Sequence, residues 1–235
     1  MQCKEGDRSR LGSKSVDMKD RDKVTLLLDL IGKNDREILE IGCGRGEITQ
    51  HLASLGKCVV GVEVDDKKAA VARQFCKDFI VGDIEKQETI ESLRSLRHKY
   101  DLILCSEVLE HLSRPDRLLL QLRDFLQPTG AILVVLPNVA FYKTRLSLLR
   151  GKWDYTDEGI LDRTHLRFFT KHTAEMLLTD SGFRIVANKA THYSRRYATL
   201  YNYLVEWWPD LFAEQFVTRA ECTEEIPQWG RNQPR

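Results

Sequence analysis

Five short β-rich runs, REILEIG, CVVGVEV, FIVGD, YDLILCSE and GAILVVLPN, are each bounded by Gly, Asp or Pro and separated by stretches of helical spacing. This alternation restricts the fold more than any other feature. Strands that are apolar along their whole length must be covered on both faces, and intervening helices do so only in a doubly wound α/β arrangement around a mostly parallel sheet. Two later strands, FRIVANKA and AEQFVTRAE, flank a single insertion, YATLYNYLVEWWPDLF, so the sheet is expected to end antiparallel. With 235 residues, 42% of them hydrophobic, the chain can bury the core of one large domain.

The helices are read from their spacing. Ile48, Leu52 and Leu55 share a face before Gly56, which suits a C-terminal cap. A second helix is expected from Pro115 to Leu126, with Ser113 as its cap, a stripe of Leu118, Leu122 and Phe125, and an end at Pro128 to Gly130. A third runs from Thr170 to Gly182. Residues 1–18, charged and poor in apolar groups, are expected to form a mobile arm ahead of a single domain over 19–235. Within it, about 141–169 fits no clean period and is expected to be a substrate-covering loop, and about 191–212 is an aromatic insertion.

The 36 basic residues nearly cancel the 35 acidic ones, so overall charge calls for neither a nucleic-acid nor a membrane partner. No apolar run approaches the roughly 18 residues of a membrane helix, and the polar N-terminus is unlike a secretory signal, which points to the cytoplasm. The cysteines at 3, 43, 58, 76, 105 and 222 include no CxxC pair and read as reduced thiols, with no metal expected.

The run ILEIGCGRG places glycines at 42, 44 and 46 where the first strand turns into a helix. Such a corner brings backbone N–H groups and a positive helix end close to a ligand. A dinucleotide fold uses GxGxxG beneath a pyrophosphate. Here the spacing is GxGxG, with Glu47 where the last glycine would stand, and an acid there competes with a phosphate for the helix dipole. A ligand with positive charge near the turn fits better, as S-adenosylmethionine does, with Glu40 placed to meet its amino-acid end directly or through water. Glu63, followed by Val64 at the end of the second strand, is placed to accept both hydroxyls of an adenosine ribose. Asp83 is placed to close the third strand and accept from an adenine amino group, with Ile84 beside the ring.

The runs ILEIGCGRGEITQHLASLG, GVEVD, VGDIE and YDLILCSEVLEHL together resemble the class I S-adenosylmethionine-dependent methyltransferases. The resemblance implies a Rossmann-like seven-stranded sheet with a reversed final strand. It also implies that Glu40, Gly42, Cys43, Gly44, Glu63, Asp83 and Ser106 to Glu107 surround the cofactor, alongside Gly46. The later run LPNVAFYKTRLSLLRGKWDYTDEGILDRTHLRFFT resembles a bacterial subgroup acting on small molecules in polysaccharide or secondary-metabolite biosynthesis.

Methyl transfer from a sulfonium is an in-line displacement with a neutral leaving group, so alignment and exclusion of water come first. An oxygen acceptor also needs a base, and histidine titrates near working pH. Two histidines compete. His111 stands four residues after Glu107, whose carboxylate would orient the ring if SEVLEHL opens a helix. His165 lies in DRTHLRFF and is read as the base or a substrate contact, His111 as a pocket or structural residue. Tyr142, Arg145, Trp153, Tyr155, Arg163 and Arg167 are candidates for gripping an anionic, ring-bearing acceptor. The aromatic insertion is read as a pocket wall or a homodimer contact.

These residues favour a methyltransferase acting on a small molecule, at a hydroxyl oxygen, over three rivals. A nucleic-acid methyltransferase is disfavoured by the charge balance and by SEVL in place of an NPPY-like run. A silent binding or scaffold protein is disfavoured by the intact set of acids. An NAD-dependent oxidoreductase is disfavoured by Glu47.

Overall fold

A computed structural model describes residues 18–191 and 198–223, with side chains over 24–191 and 203–223. The arm expected over 1–18 lies, apart from Met18, outside the described residues. The expected alternation is realised: α1 (Met18–Leu30), β1 (Glu37–Ile41), α2 (Glu47–Ser54), β2 (Cys58–Glu63), α3 (Asp66–Ala72), β3 (Asp78–Val81), α4 (Gln87–Ser95), β4 (Tyr100–Ser106), α5 (Pro115–Leu122) and β5 (Leu126–Pro137). Then follow α6 (Tyr142–Leu149), α7 (Lys171–Asp180), β6 (Phe183–Thr191), α8 (Ala198–Trp207), α9 (Pro209–Phe212) and β7 (Gln215–Cys222). The seven strands form one sheet in the order β3-β2-β1-β4-β5-β7-β6. β1 pairs parallel with β2 and with β4, β2 parallel with β3, and β6 antiparallel with β7, as the late strand pair implied.

By contact, the described residues divide into two compact units. The first runs to Ser106 and adds Gln121–Leu133. Its β1 and β4 are buried almost throughout, with Ile38, Leu39, Leu102, Ile103 and Leu104 wholly enclosed, as strands covered on both faces must be. The strand order reverses between β1 and β4, so the crevice at their carboxyl ends is the place where such sheets bind ligands. The register sets Ile41 opposite Cys105, which brings Gly42 and Ser106 to the same level there.

The second unit comprises Glu107–Leu120 and the chain from Val134. Its β6–β7 pair runs from Phe183 opposite Cys222 to Thr191 opposite Gln215. Thr170 and Thr173 form a capping box that starts α7. Val205, in the described part of the insertion, forms a small apolar cluster with Ala213 and with Phe216 of β7.

Several expectations at element ends are corrected. Leu55 follows α2 and is 58% exposed, because the helix ends in a Schellman turn: Lys57 N–H donates to the Leu52 carbonyl and Gly56 N–H to that of Ala53. The α5 segment tightens into a 3-10 turn at Arg123–Phe125, and β5 starts at Leu126, ahead of the Pro128 to Gly130 stop that was expected. The segment 141–169 is not all loop, since Tyr142–Leu149 is helical; its apolar residues are largely exposed, which erased the period. Four cysteines, Cys43, Cys76, Cys105 and Cys222, are free, whereas Cys58, half-buried at the start of β2, is disulfide-bonded and not the reduced thiol expected. No helix among the described residues is long and apolar enough to cross a membrane.

Gly46 and Gly56 both have positive φ, 84° and 74°, but only Gly46 is hemmed in, with Ala72 Cα 3.0 Å and Phe75 Cδ2 3.2 Å from where a Cβ would stand. Gly46→Ala is therefore expected to destabilise the chain by about 2–4 kcal/mol, and Gly56→Ala by only about 1–2 kcal/mol. Equal shifts of the two urea midpoints would contradict the packing argument.

Candidate active site

The glycine turn is built from backbone. Gly42, Gly44 and Gly46 all adopt positive φ, at 67°, 56° and 84°, so the alternate glycines of the sequence are a conformational requirement. Gly42 and Cys43 N–H groups donate to the Val62 carbonyl at 2.8 and 3.2 Å, and Gly46 N–H donates to Cys43. The turn thus leans on β2.

Glu63 secures it. Its Oε2 accepts from Gly44 N–H at 2.8 Å, and its Oε1 accepts from the N–H groups of Val64 and Asp65 at 3.0 Å each. Its carbonyl accepts from Gly82 N–H at 2.9 Å, at the end of β3. A carboxylate has about four acceptor positions, so roughly one remains on Oε2 for an incoming hydroxyl. The sequence reading had Glu63 accept two. Val64, beside it, is 65% exposed and offers apolar surface at the rim.

β3 stops at Val81, so Asp83 stands just past the strand and not at its end; its Oδ1 accepts from Glu85 N–H at 2.9 Å in a local turn. Ile84 is buried behind it. Cys43 is buried too, and burial pushes its thiol far above the ordinary range, so it packs and does not react. Glu40 lies within β1, 2% exposed, and accepts a 2.6 Å hydrogen bond from Thr49 Oγ1 of α2. Thr49 was missed by the sequence reading, which looked for apolar residues on that face. Burial raises the Glu40 carboxyl to about 7, against the lowering effect of the Thr49 hydroxyl.

A further cluster belongs to the second unit. Glu107 has φ 56°, a left-handed conformation that is strained for a residue with a side chain, and its carboxylate accepts from the Gln215 amide. The helix expected from SEVLEHL is a single 3-10 turn at Leu109–His111, so Glu107 and His111 do not share a helical face; the left-handed residue breaks the spacing. His111 Nδ1 instead lies 3.1 Å from Thr164 Oγ1 and 3.3 Å from the Thr164 carbonyl. His165 does come together with it: the rings meet edge-on at 4.7 Å. His165 Nδ1 lies 3.1 Å from the Ile160 carbonyl, and burial holds the His165 pKa below its usual value, with the neighbouring His111 adding to the effect. Asp162, Thr164 and the wholly buried Glu110 complete the surroundings and had not been singled out.

The expected acceptor residues divide. Trp153 packs edge-on to Phe168 at 5.3 Å and Phe168 lies 6.2 Å from His165, so an aromatic run leads to the imidazoles. Tyr142 packs elsewhere, against Phe141 and Phe212, and Tyr155 is 54% exposed. Arg145 bonds the Ala140 carbonyl, Arg163 pairs with Asp157 at 2.8 Å, and Arg167 bonds the Ser113 carbonyl at 2.7 Å. Those three are engaged with the protein itself.

Residues 17–188 match the model of a family described as "Methyltransferase domain". The chain belongs to that family. Among curated relatives of this methyltransferase chain, the ubiquinone biosynthesis O-methyltransferase of Chelativorans sp. (strain BNC1) is 28% identical over 171 residues, 73% of this chain and 64% of that protein. The protein of the same name from Rickettsia akari (strain Hartford) is 33% identical over 159 residues, 67% and 62% of the two chains. The chain thus spans just under two thirds of the length of these relatives. Among solved structures, a SAM-dependent methyltransferase from Archaeoglobus fulgidus superposes with a TM-score of 0.60 at 21% identity, over 86% of this chain and 92% of the other. Magnesium protoporphyrin IX methyltransferase from Synechocystis PCC 6803, with SAH bound, gives 0.61 at 18% identity, over 88% and 84%. At these identities the likeness is one of fold, the Rossmann-like methyltransferase fold expected from the sequence.

The buried Glu40 gives a pH test. Its folded pKa, about 7, lies above the ordinary 4.5, so between those values the folded chain holds a proton that the unfolded chain has released. Stability from this group is full below about pH 4.5 and is lost as pH rises to about 7, on the order of 3 kcal/mol in all. Glu40→Gln keeps an acceptor for Thr49 and cannot ionise. Denaturant melts at pH 5 and pH 8 are expected to show the wild type losing more stability than the variant; parallel losses would show that Glu40 does not titrate there.

Proposed function

We propose that the chain is an S-adenosylmethionine-dependent methyltransferase that methylates a hydroxyl oxygen of a small, ring-bearing molecule. The observation that carries the proposal is the Glu63 carboxylate, which ties the left-handed glycine turn of β1 to the end of β2 while keeping an acceptor position for a ribose hydroxyl. These residues fit the cofactor: Gly44 leaves open backbone, with only Glu47 Oε2 at 3.9 Å from where a Cβ would stand, and that acid suits a cationic ligand better than a pyrophosphate. Gly42, Gly44, Gly46, Glu63, Val64, Asp83, Ile84 and Ser106 would hold it, with Glu40 beneath the turn. When bound, it supplies the electrophilic methyl group.

Oxygen as the reacting atom is supported by the relatives named O-methyltransferases. The aromatic run from Trp153 to His165 supports a flat acceptor among the small molecules of the polysaccharide and secondary-metabolite classes. With Arg145, Arg163 and Arg167 engaged, an anionic acceptor has less support than the residue types alone suggest. His165 is the residue assigned to activate the acceptor hydroxyl.

Calorimetric titration with S-adenosylmethionine and its demethylated product tests the proposal. Both are expected to bind, and Glu63→Ala is expected to weaken binding by about 1.5–3 kcal/mol, roughly 10- to 150-fold. Unchanged affinity would remove Glu63 from the site. His165→Ala is expected to slow turnover about a hundredfold while cofactor affinity stays within a few fold; wild-type turnover would end its assigned role.

A further inference from the structure

Two histidines and a buried carboxylate stand together in the second unit, and the proposed transfer has so far used only one of them. One donor atom from each of Glu110, His111 and His165 lies within 4.8 Å of the others. The backbone enforces this meeting: Leu166 N–H and Arg167 N–H both donate to the Glu110 carbonyl, at 2.8 and 2.9 Å. The chain around His165 is thereby pinned to the turn that carries Glu110 and His111.

The imidazoles are also oriented. A carbonyl only accepts, so the contacts to Ile160 and Thr164 make Nδ1 the donor on both rings. Thr164 Oγ1 gives its own proton to Asp162 Oδ1 at 2.6 Å and accepts from His111, which builds a carboxylate–hydroxyl–imidazole chain. Nε2 is then the lone-pair nitrogen of each ring. Hydrogen bonding at one nitrogen that fixes the other for ligation is how metal-binding histidines are held. Both rings keep some exposure, while Glu110 has none. Ligand atoms about 2.1 Å from an ion lie no more than about 4.2 Å apart, so the set has to draw in from its 4.8 Å spread to hold one.

We propose that Glu110, His111 and His165 form a binding site for a divalent transition cation, which in turn binds and acidifies the acceptor hydroxyl. The use assigned to the cation rests on the methyltransferase reading above; the site itself does not. Two imidazoles with one carboxylate suit Zn²⁺, Mn²⁺, Fe²⁺ or Co²⁺ over the all-oxygen preference of Mg²⁺ and Ca²⁺, and three protein ligands leave a position open. A hydroxyl bound there loses its proton near neutral pH, much as metal-bound water does. The O–H bond breaks, the proton passes to solvent, and the oxygen keeps the electron pair. That pair then forms the O–CH₃ bond as the S–CH₃ bond breaks, its electrons staying on sulfur. The sequence pointed to no metal because His165 lies far along the chain from the adjacent Glu110 and His111.

Chelator-treated full-length protein, titrated by calorimetry with Mn²⁺ and separately with Zn²⁺, tests the site. One equivalent is expected to bind, with His111→Ala and His165→Ala each weakening it tenfold or more. Glu63→Ala is expected to leave it unchanged. Because Glu110→Gln sits in the core, thermal melts accompany it, and Asp162→Ala, at a more exposed position, is expected to weaken binding severalfold through His111. Failure of both ions to bind, or binding that both histidine variants leave intact, overturns the proposal. Titration of the same preparation with S-adenosylmethionine separates the two readings: cofactor binding without cation binding rejects the cation site alone, and cation binding without cofactor binding upholds the site and rejects the methyltransferase reading.

Discussion

One carboxylate organises the first unit. Glu63 accepts from Gly44 across the gap between the β1 and β2 ends, from Val64 and Asp65 in its own turn, and through its carbonyl from Gly82 beyond β3. Three strand ends are thus tied through one residue. Charge-assisted bonds to backbone N–H are stronger than neutral ones, and at 6% exposure they are little weakened by water. The left-handed glycine turn has little apolar packing of its own, so this carboxylate fixes its shape before any ligand arrives. Preorganisation of that kind lowers the ordering cost of binding.

Glu40 plays the complementary part beneath the turn. It lies one residue before Ile41 in the central strand, and its bond to Thr49 fastens β1 to the helix that follows the glycines. A carboxyl so deeply buried prefers to be neutral. Positive charge brought to the turn would favour its ionised form, so binding of the proposed cofactor there would be linked to the protonation of Glu40.

The strands β1, β2 and β4 were legible because each is a short, largely apolar run bounded by turn residues, as a strand covered on both faces must be. The glycines of the turn were legible because their spacing answers to the backbone, all three having positive φ. The second unit resisted the same reading. Glu107 and His111 carry a helical interval, and only the left-handed backbone at Glu107 shows that no helix joins them. Glu110 sits in the same run, but its value comes from meeting His165, a contact made through backbone bonds to Leu166 and Arg167 that leave no pattern in the side-chain sequence. The arginines of the 145–167 stretch could not be placed from the sequence, because a carbonyl or an aspartate close by satisfies a guanidinium as well as a substrate does.

The two halves of the chemistry therefore follow different rules. The half proposed for the cofactor rests on backbone N–H groups, positive φ and one or two acids, features that constrain residue type strictly. The half proposed for the acceptor rests on side chains, Trp153, Phe168, His111, His165 and Glu110, carried on irregular chain whose course is set by a few long-range hydrogen bonds. Changes there alter which molecule fits without disturbing the sheet, since loops placed by a rigid scaffold tolerate replacement. The fold shared with solved methyltransferases at about a fifth sequence identity shows that such a sheet persists while most of its residues change.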